Sequence, residues 1–168
     1  MKSCTYFVEG ECERKLLDSL KSGRSLIHPG KVRVFNVIQN KLKPSHLISI
    51  KEGYVVFVFD SDTPSVTCLK ENIALVKRIC PIGSVKLLFL VQVENFEEEI
   101  VRATDVRRIV ELIGSRSEKD FKPDFIALKD CRATLEKHGF DIRKMWNQAI
   151  PEPFNFVEQG LKLLVIKL

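Results

Sequence analysis

The stretch YVVFVFDSD, residues 54–62, decides the fold together with CTYFVEG, residues 4–10. Both are apolar runs without regular polar alternation, which is typical of strands that are covered on both faces of a parallel sheet. The acids that follow these runs, Glu9 and Asp60, therefore stand at the carboxyl ends of two strands. Ligands of open α/β sheets bind outside that edge, so the two runs predict a site there.

Two further apolar segments have the composition of strands, and helical patterns lie between the strands. The predicted strands are residues 4–8, 32–38, 54–59 and 85–93. Apolar residues recur at helical spacing after Gly10 and again after Ser65, whereas residues 39–50 suit one irregular helical turn. Alternating strands and helices predict an α/β fold with a mainly parallel central sheet flanked by helices.

The second half of the chain has a helical character. Its predicted elements are a helix over residues 106–113 ended by Gly114, a helix from 117 to 138 that starts with a Ser117–Asp120 capping box, a short helix capped by Asp141, and a last strand or packed tail at 163–166. We therefore expect an α/β core over residues 1–102 and a helical extension over residues 103–168, packed together as one compact domain.

Three large apolar residues of this extension raise the question of a partner. Trp146 is expected to be a core or interface anchor. Together with Phe121 and Phe125 it defines an apolar face that could serve as a dimer seam, so a homodimer is one expected arrangement.

Size and composition describe a single domain. The chain has 168 residues, of which 45% are hydrophobic and 29% charged. It lacks the apolar stretch of roughly 18 residues that spans a bilayer, and its start lacks the pattern of a secretory signal. No membrane association is expected. Five cysteines without a CxxC pair suit reduced thiols, which predicts a cytoplasmic protein.

The charge balance bears on the partner. The formal net charge is +5, and a positive field steers polyanions such as nucleic acid toward a protein. A mildly basic solvated surface explains the same charge equally well.

The acids at the predicted sheet edge have the chemistry of a divalent metal site. If the two strands are neighbours, Glu9, Asp60 and Asp62 converge, and a bound cation relieves their mutual repulsion. Hard cations such as Mg2+ or Mn2+ prefer such oxygen ligands. Glu13 lies about one helical turn after Glu9 and can face the same site, although a surface position on the helix is the alternative. Gly10 allows a phosphate to approach the backbone closely.

The order of these motifs resembles a known family. Val8-Glu9-Gly10-Glu11-Cys12-Glu13 followed by Phe59-Asp60-Ser61-Asp62 is similar to the Toprim domain of primases, topoisomerases and small nucleases. The resemblance is closest to the Toprim nucleases of the overcoming-lysogenization-defect class and to short bacterial Toprim proteins, and it covers roughly residues 4–100. It implies a Rossmann-like Toprim fold for the core.

The resemblance also implies roles for the acids. Glu9 would be the metal-linked acid that also transfers protons, and Asp60 and Asp62 would be metal ligands. Glu13 and Glu94 would complete a second metal position, giving the two-metal arrangement that stabilises attacking and leaving oxygens.

The position of Glu94 depends on the register after the fourth strand. Glu94-Asn95-Phe96 occupies the place of a later acidic motif of the family. Glu97 or Glu98 is the alternative ligand, and otherwise the acidic run 97–99 is expected to be a solvated face.

A lysine often neutralises transition-state charge in such nucleases. Lys122 and Lys129, on the predicted helix of the second half, are the candidates, and plain surface positions are the alternative for both. The function that the resemblance implies is Mg2+-dependent cleavage of DNA or RNA phosphodiester bonds, in phage defence or nucleic-acid processing. The alternative is a non-catalytic module that binds metal and nucleic acid and acts with a partner protein such as an ATPase.

Overall fold

The computed structural model describes residues 3–166. Within these residues the centre is a sheet of four parallel strands in the order β2-β1-β3-β4. The strands are β1 (Cys4–Val8), β2 (Gly30–Val34), β3 (Gly53–Asp60) and β4 (Val85–Gln92). The predicted α/β class with a parallel central sheet is confirmed, and the architecture is Rossmann-like.

Helices cover both faces of this sheet. They are α1 (Glu11–Lys21), α2 (Thr67–Ile79), α3 (Phe96–Ala103), α4 (Glu118–Ala127), α5 (Cys131–Lys137) and α6 (Leu161–Leu164). Shorter 3-10 turns span Pro44–His46, Ile109–Leu112 and Ile142–Lys144. Among residues 3–166, no helix combines the length and the apolar composition needed to cross a membrane.

The two faces of the sheet carry separate apolar cores. Side chains alternate along each strand, so Val8 and Val58 face the first core while Phe7 and Phe57 face the second. The first core includes buried residues of α1, α3, α4 and α5, and the second includes those of α2 and of residues 37–50. Strand β3 is buried along its whole length because it is central and covered on both sides. That position explains its unbroken apolar run.

The extension packs into the first core. Phe121, Phe125 and Trp146 are each at most 1% exposed. Phe125 meets Phe96 of α3 edge to face, with ring centroids 5.4 Å apart. The predicted dimer seam is therefore wrong, because the apolar surface of these three side chains is already covered within the chain. The prediction of Trp146 as a core anchor is confirmed.

A buried carboxylate joins the extension to the sheet. Glu99 of α3 is fully buried, and its Oε1 accepts hydrogen bonds from the Val93 amide at 3.1 Å and from Arg102 Nη2 at 2.9 Å. Its Oε2 accepts from the Trp146 amide at 2.7 Å. The expectation that residues 97–99 form a solvated face is wrong at Glu99, since the helix turns this residue toward the core.

Local hydrogen bonds shift the predicted end of β2. The strand was expected over residues 32–38 but ends at Val34. Asn36 Oδ1 accepts hydrogen bonds from the amides of Ile38 and Gln39, both at 2.9 Å. Such an asparagine turn competes with strand pairing, so the chain leaves the sheet early.

Two predicted helices of the second half are shorter than expected. The helix over residues 106–113 is only the 3-10 turn Ile109–Leu112, because Arg108 is extended with φ −135° and ψ 143°. The helix over residues 117–138 is divided into α4 and α5, where Asp130 accepts a hydrogen bond from the Ala133 amide and starts α5.

The caps and the tail differ in detail from their predictions. Ser117 Oγ donates to Asp120 Oδ2 at 2.7 Å instead of capping an amide. Asp141 accepts from the Arg143 amide at 3.0 Å and caps the 3-10 turn, as expected for its position. Near the end of the described residues, Leu161–Leu164 form α6, after which Val165 makes an isolated antiparallel bridge to Ile27. The packed tail is thus the correct alternative.

Candidate functional site

The carboxyl edge of the sheet brings the predicted acids together. Strands β1 and β3 are direct neighbours, with Val8 opposite Val58 in the register. Glu9 therefore follows β1 beside the last residues of β3, where Asp60 stands. Helix α1 leaves β1 toward the first core and α2 leaves β3 toward the second. This is the topological switch point at which open α/β sheets bind ligands.

Two cavities open at this edge and share Asp60 and Lys122. We call the larger one, of about 360 Å³, the arginine lobe; its charged lining residues are Asp60, Asp62, Glu97, Glu98, Arg107, Arg108, Glu118 and Lys122. We call the smaller one, of about 300 Å³, the glutamate lobe; its polar lining residues include Glu9, Gly10, Glu11, Glu13, Asn36, Asp60 and Lys122. Because they share two residues, the lobes form one site.

Asp60 is the central acid of this site. It is 9% exposed, and its Oδ1 has no hydrogen-bond partner among residues 3–166. Burial and then the charges of Glu9, Glu13 and Asp62 raise the pKa of Asp60 to about 8, while Lys122 acts in the opposite direction. A buried carboxylate with an unpaired oxygen is costly in a folded protein unless a ligand or a proton satisfies it.

Glu9 is the second perturbed acid. It is partly buried, and burial followed by the charge of Glu13 raises its pKa to about 7. Asp62 adds to this rise, whereas hydrogen bonding from the Asp60 backbone and the Asn36 side chain opposes it. Glu9 can therefore gain or lose a proton close to neutral pH.

Glu13 has a structural role beside any functional one. It is 6% exposed, so the surface alternative does not describe it, and its Oε2 accepts the Gly10 amide hydrogen at 3.0 Å at the start of α1. Burial raises the pKa of Glu13. Gly10 itself is extended, with φ −148°, and a Cβ there would lie 3.3 Å from that carboxylate oxygen.

Of the remaining predicted metal ligands, Asp62 lines the site and Glu94 does not. Asp62 is exposed beyond the end of β3 and lines the arginine lobe. Glu94 is exposed with a φ of 71°, its amide donates to Ser61 Oγ at 3.1 Å, and it lines neither lobe. Glu97 and Glu98 of α3 line the arginine lobe instead. The structure thus brings the alternative acids to the site, and a ligand role for Glu94 stays a prediction.

The two candidate lysines are also separated by the fold. Lys122 of α4 lines both lobes, and its Nζ lies 3.3 Å from Glu97 Oε1. Burial acts to lower the pKa of Lys122, but the charges of Glu97 and Asp60 outweigh it and raise the pKa, so the lysine stays cationic. Lys129 is exposed in the connection between α4 and α5 and lines neither lobe.

Several residues of the site were not predicted from the sequence. Arg107 and Arg108 line the arginine lobe, and Asn36 lines the glutamate lobe. Their signals were weak: two adjacent arginines ahead of an apolar pair, and one polar residue in an apolar run. Neither pattern has a spacing that points to a particular chemistry.

The donor set suits a divalent cation but is not preorganised for one. Carboxylate oxygens are what Mg2+ and Mn2+ prefer, and the unpaired Asp60 Oδ1 offers one. Glu9, Asp60 and Asp62 form no ion pair within the described residues, so no basic partner occupies them. In the same part of the chain, however, no three acidic, histidine or cysteine side chains converge closely enough to hold a metal. Binding would require the carboxylates to rotate toward a common centre.

Comparison with known proteins gives no match for this chain among family models, curated proteins or solved structures. The Toprim resemblance therefore rests on the acidic motifs and their order along the sequence.

Proposed function

We propose that the protein is a nuclease of the Toprim type that uses Mg2+ or Mn2+ to hydrolyse phosphodiester bonds in DNA or RNA. One observation carries the proposal: Glu9 and Asp60 lie at the ends of adjacent parallel strands, with pKa values raised to about 7 and about 8. Holding two acids together in a partly buried place costs stability. That cost is typical of sites that bind a cation or move a proton.

The charge of the arginine lobe supports the need for a cation. Among residues 3–166, five carboxylates and three basic side chains line it, so a phosphodiester alone would be repelled. A bound divalent cation would neutralise this excess of negative charge and supply a Lewis acid for the phosphoryl group. Asp60 and Asp62, with Glu97 or Glu98, are the residues that would hold it.

Glu9 and Lys122 suit the two remaining tasks of the hydrolysis. A general base works best when its pKa lies near the operating pH, and the pKa of Glu9 is about 7. Glu9 would therefore accept the proton of the attacking water. Lys122 stays cationic beside Asp60 and would stabilise the negative charge that develops on the phosphate oxygens.

The hydrogen bond of Glu13 favours a second candidate function, a binding module that does not cleave. Its carboxylate already accepts the Gly10 amide hydrogen and starts α1, which leaves it less available as a ligand of a second metal. A module that binds one cation and nucleic acid without cleaving, and that acts with a partner such as an ATPase, needs only the remaining acids.

A reducing compartment such as the cytoplasm fits this proposal. All five cysteines are free thiols, and four of them are buried. The proposal also includes a role in phage defence or nucleic-acid processing, which only the resemblance of the acidic motifs to Toprim nucleases supports.

A cleavage assay on the purified protein tests the proposal. Plasmid, single-stranded DNA and RNA are incubated with Mg2+, Mn2+ or EDTA, and metal binding is followed separately by calorimetry. We expect metal-dependent products that disappear in Glu9→Gln, Asp60→Asn and Asp62→Asn but persist in Asp18→Asn, an exposed acid of α1. Cleavage retained in all three site variants would mean that these acids do not carry it, which would defeat the proposed site. Tight binding of nucleic acid without products would favour the module.

A further inference from the structure

The arginine lobe is lined by side chains of opposite charge from two parts of the chain. Asp60 and Asp62 come from the end of β3, and Arg107 and Arg108 precede the 3-10 turn of the extension. Both arginines are exposed, and their side chains form no ion pair with any of residues 3–166. Two guanidinium groups that face a cavity without an acidic partner suit a phosphate, because their planar donors match its oxygens.

The depth of Asp60 limits the shape of the substrate. A phosphodiester that reaches this residue must enter a cavity of about 360 Å³ whose acid is only 9% exposed. That volume is in the range of clefts that hold a small molecule, which includes a single nucleotide. A base-paired helix holds its phosphates in fixed positions on its own surface and cannot turn a single one into a cavity of this size. A flexible single strand can bend one phosphate inward.

The remaining lining residues indicate whether the lobe would recognise the bases of such a strand. Val101 and Ile109 give the lobe an apolar surface, and no aromatic side chain lines it within the described chain. Bases can lie against such a surface, but stacking on an aromatic platform is not provided. Phosphate contacts position a nucleic acid without reading its sequence.

We propose that the arginine lobe binds single-stranded nucleic acid, DNA or RNA, and that Arg107 and Arg108 hold the phosphate next to the one at Asp60. This inference rests on the proposed function, since it assumes that a phosphodiester lies at Asp60. It adds the substrate form, the phosphate-binding residues and a low sequence preference.

The test measures binding apart from cleavage. Fluorescence anisotropy is recorded with labelled single-stranded DNA, single-stranded RNA and duplex DNA of one sequence, in Ca2+ so that binding can be read without turnover, over a range of salt concentrations. The variants are Arg107→Gln, Arg108→Gln and the double change. Arg78→Gln on α2 is the matched control, because Arg78 is an exposed arginine of a helix that covers the other face of the sheet. The Arg107 backbone amide, which donates to Glu111, is untouched by these changes.

We expect single strands to bind at least about tenfold more tightly than the duplex, and the double variant to lose about tenfold or more of that affinity. Each arginine that contacts a phosphate should reduce the slope of log affinity against log salt by about 1. Arg78→Gln should leave affinity and slope unchanged, and a scrambled sequence should bind equally well.

The outcomes separate this inference from the proposed function. Unchanged binding in the double variant, or equal affinity for the duplex, overturns the inference even if metal-dependent cleavage is observed. Arginine-dependent binding of single strands with no cleavage in Mg2+ or Mn2+ supports the binding site while the proposed catalysis fails.

Discussion

The two halves of the chain supply opposite charges to one cavity. The core lines the arginine lobe with Asp60, Asp62, Glu97 and Glu98, whereas the extension lines it with Arg107, Arg108, Lys122 and the acid Glu118. Among residues 3–102, the described part of the half that carries the Toprim-like motifs, no basic side chain lines this lobe. The site is complete only where the extension packs against the sheet edge.

Two buried carboxylates show how differently the core treats its acids. Glu99 is fully buried and accepts three hydrogen bonds from N–H donors. Asp60 is nearly as buried, yet one of its oxygens has no partner in the described chain and its neighbours include Glu9, Glu13 and Asp62. A satisfied acid stabilises the fold, whereas an unsatisfied buried acid lowers stability unless a proton or a ligand satisfies it.

The largest expected effect comes from removing the unsatisfied acid. Asp60→Asn keeps the shape of the side chain but removes its charge, so the proposed cleavage should fall by roughly 10³-fold or more. The folded structure should persist, as measured by circular dichroism. Cleavage by Asp60→Asn at the parent rate, as expected for the exposed control Asp18→Asn, would contradict this prediction. The unpaired oxygen that distinguishes Asp60 from Glu99 would then have no role in cleavage.

Sequence reasoning reached the core because its signals are local and strong. Continuous apolar runs predicted β1, β3 and β4 within two residues of their ends, and the terminal acids predicted which edge carries the site. That β1 and β3 are neighbours was a condition of the predicted site, and only the sheet order of the structure supplies it. Strand β2 was misplaced because the Asn36 turn depends on one side chain, which periodicity does not detect.

The extension was less predictable because tertiary contacts decide its structure. Apolar residues at helical spacing around Ile109 are buried as expected, but they form a 3-10 turn. The burial of Glu99 in the core depends on the same kind of contact. Its carboxylate accepts hydrogen bonds from the Val93 amide, which lies outside its helix, and from the Trp146 amide, which is distant along the chain. Arg107 and Arg108 of the arginine lobe directly precede this 3-10 turn, and no sequence motif marks them.

The second prediction removes the satisfied acid. Glu99→Gln replaces one acceptor oxygen with an amide donor that faces N–H groups, and it removes the ion pair with Arg102. Breaking a buried network of this kind should destabilise the protein by about 2–4 kcal/mol. Urea unfolding measures the change.

The control for this prediction is an exposed ion pair. Glu71→Gln removes the partner of Lys41, 2.7 Å away, where both side chains are largely exposed. Such an exposed pair contributes little to stability, so this variant should unfold near the urea concentration at which the parent unfolds. Equal effects of the two substitutions would mean that Glu99 does not join the extension to the core.

The third prediction separates the two lysines. Lys122→Met should lower the proposed cleavage rate by about 10- to 100-fold, because it removes the cation that lies between the lobes. Lys129→Met should leave the rate unchanged, since Lys129 is exposed and lines neither lobe. Single-turnover cleavage measures both. A loss in Lys129→Met with a normal Lys122→Met would reverse the assignment.

The smallest expected effect is a gain in stability without metal. The pKa of Asp60 is raised from an ordinary value of 3.8 to about 8. A carboxyl with a raised folded-state pKa contributes stability that is fully present below about pH 4 and is lost as the pH rises through 8. In EDTA at pH 8.5, Asp60→Asn should therefore be more stable than the parent by about 1–2 kcal/mol, or a few degrees in Tm. This is less than the shift alone suggests, because Glu9 and Glu13 titrate with Asp60. The gain should shrink toward zero near pH 4, and Asp18→Asn should show no such dependence in thermal unfolding. An equal gain at both pH values would mean that the gain does not come from removing the charge of Asp60, which burial and the neighbouring acids disfavour.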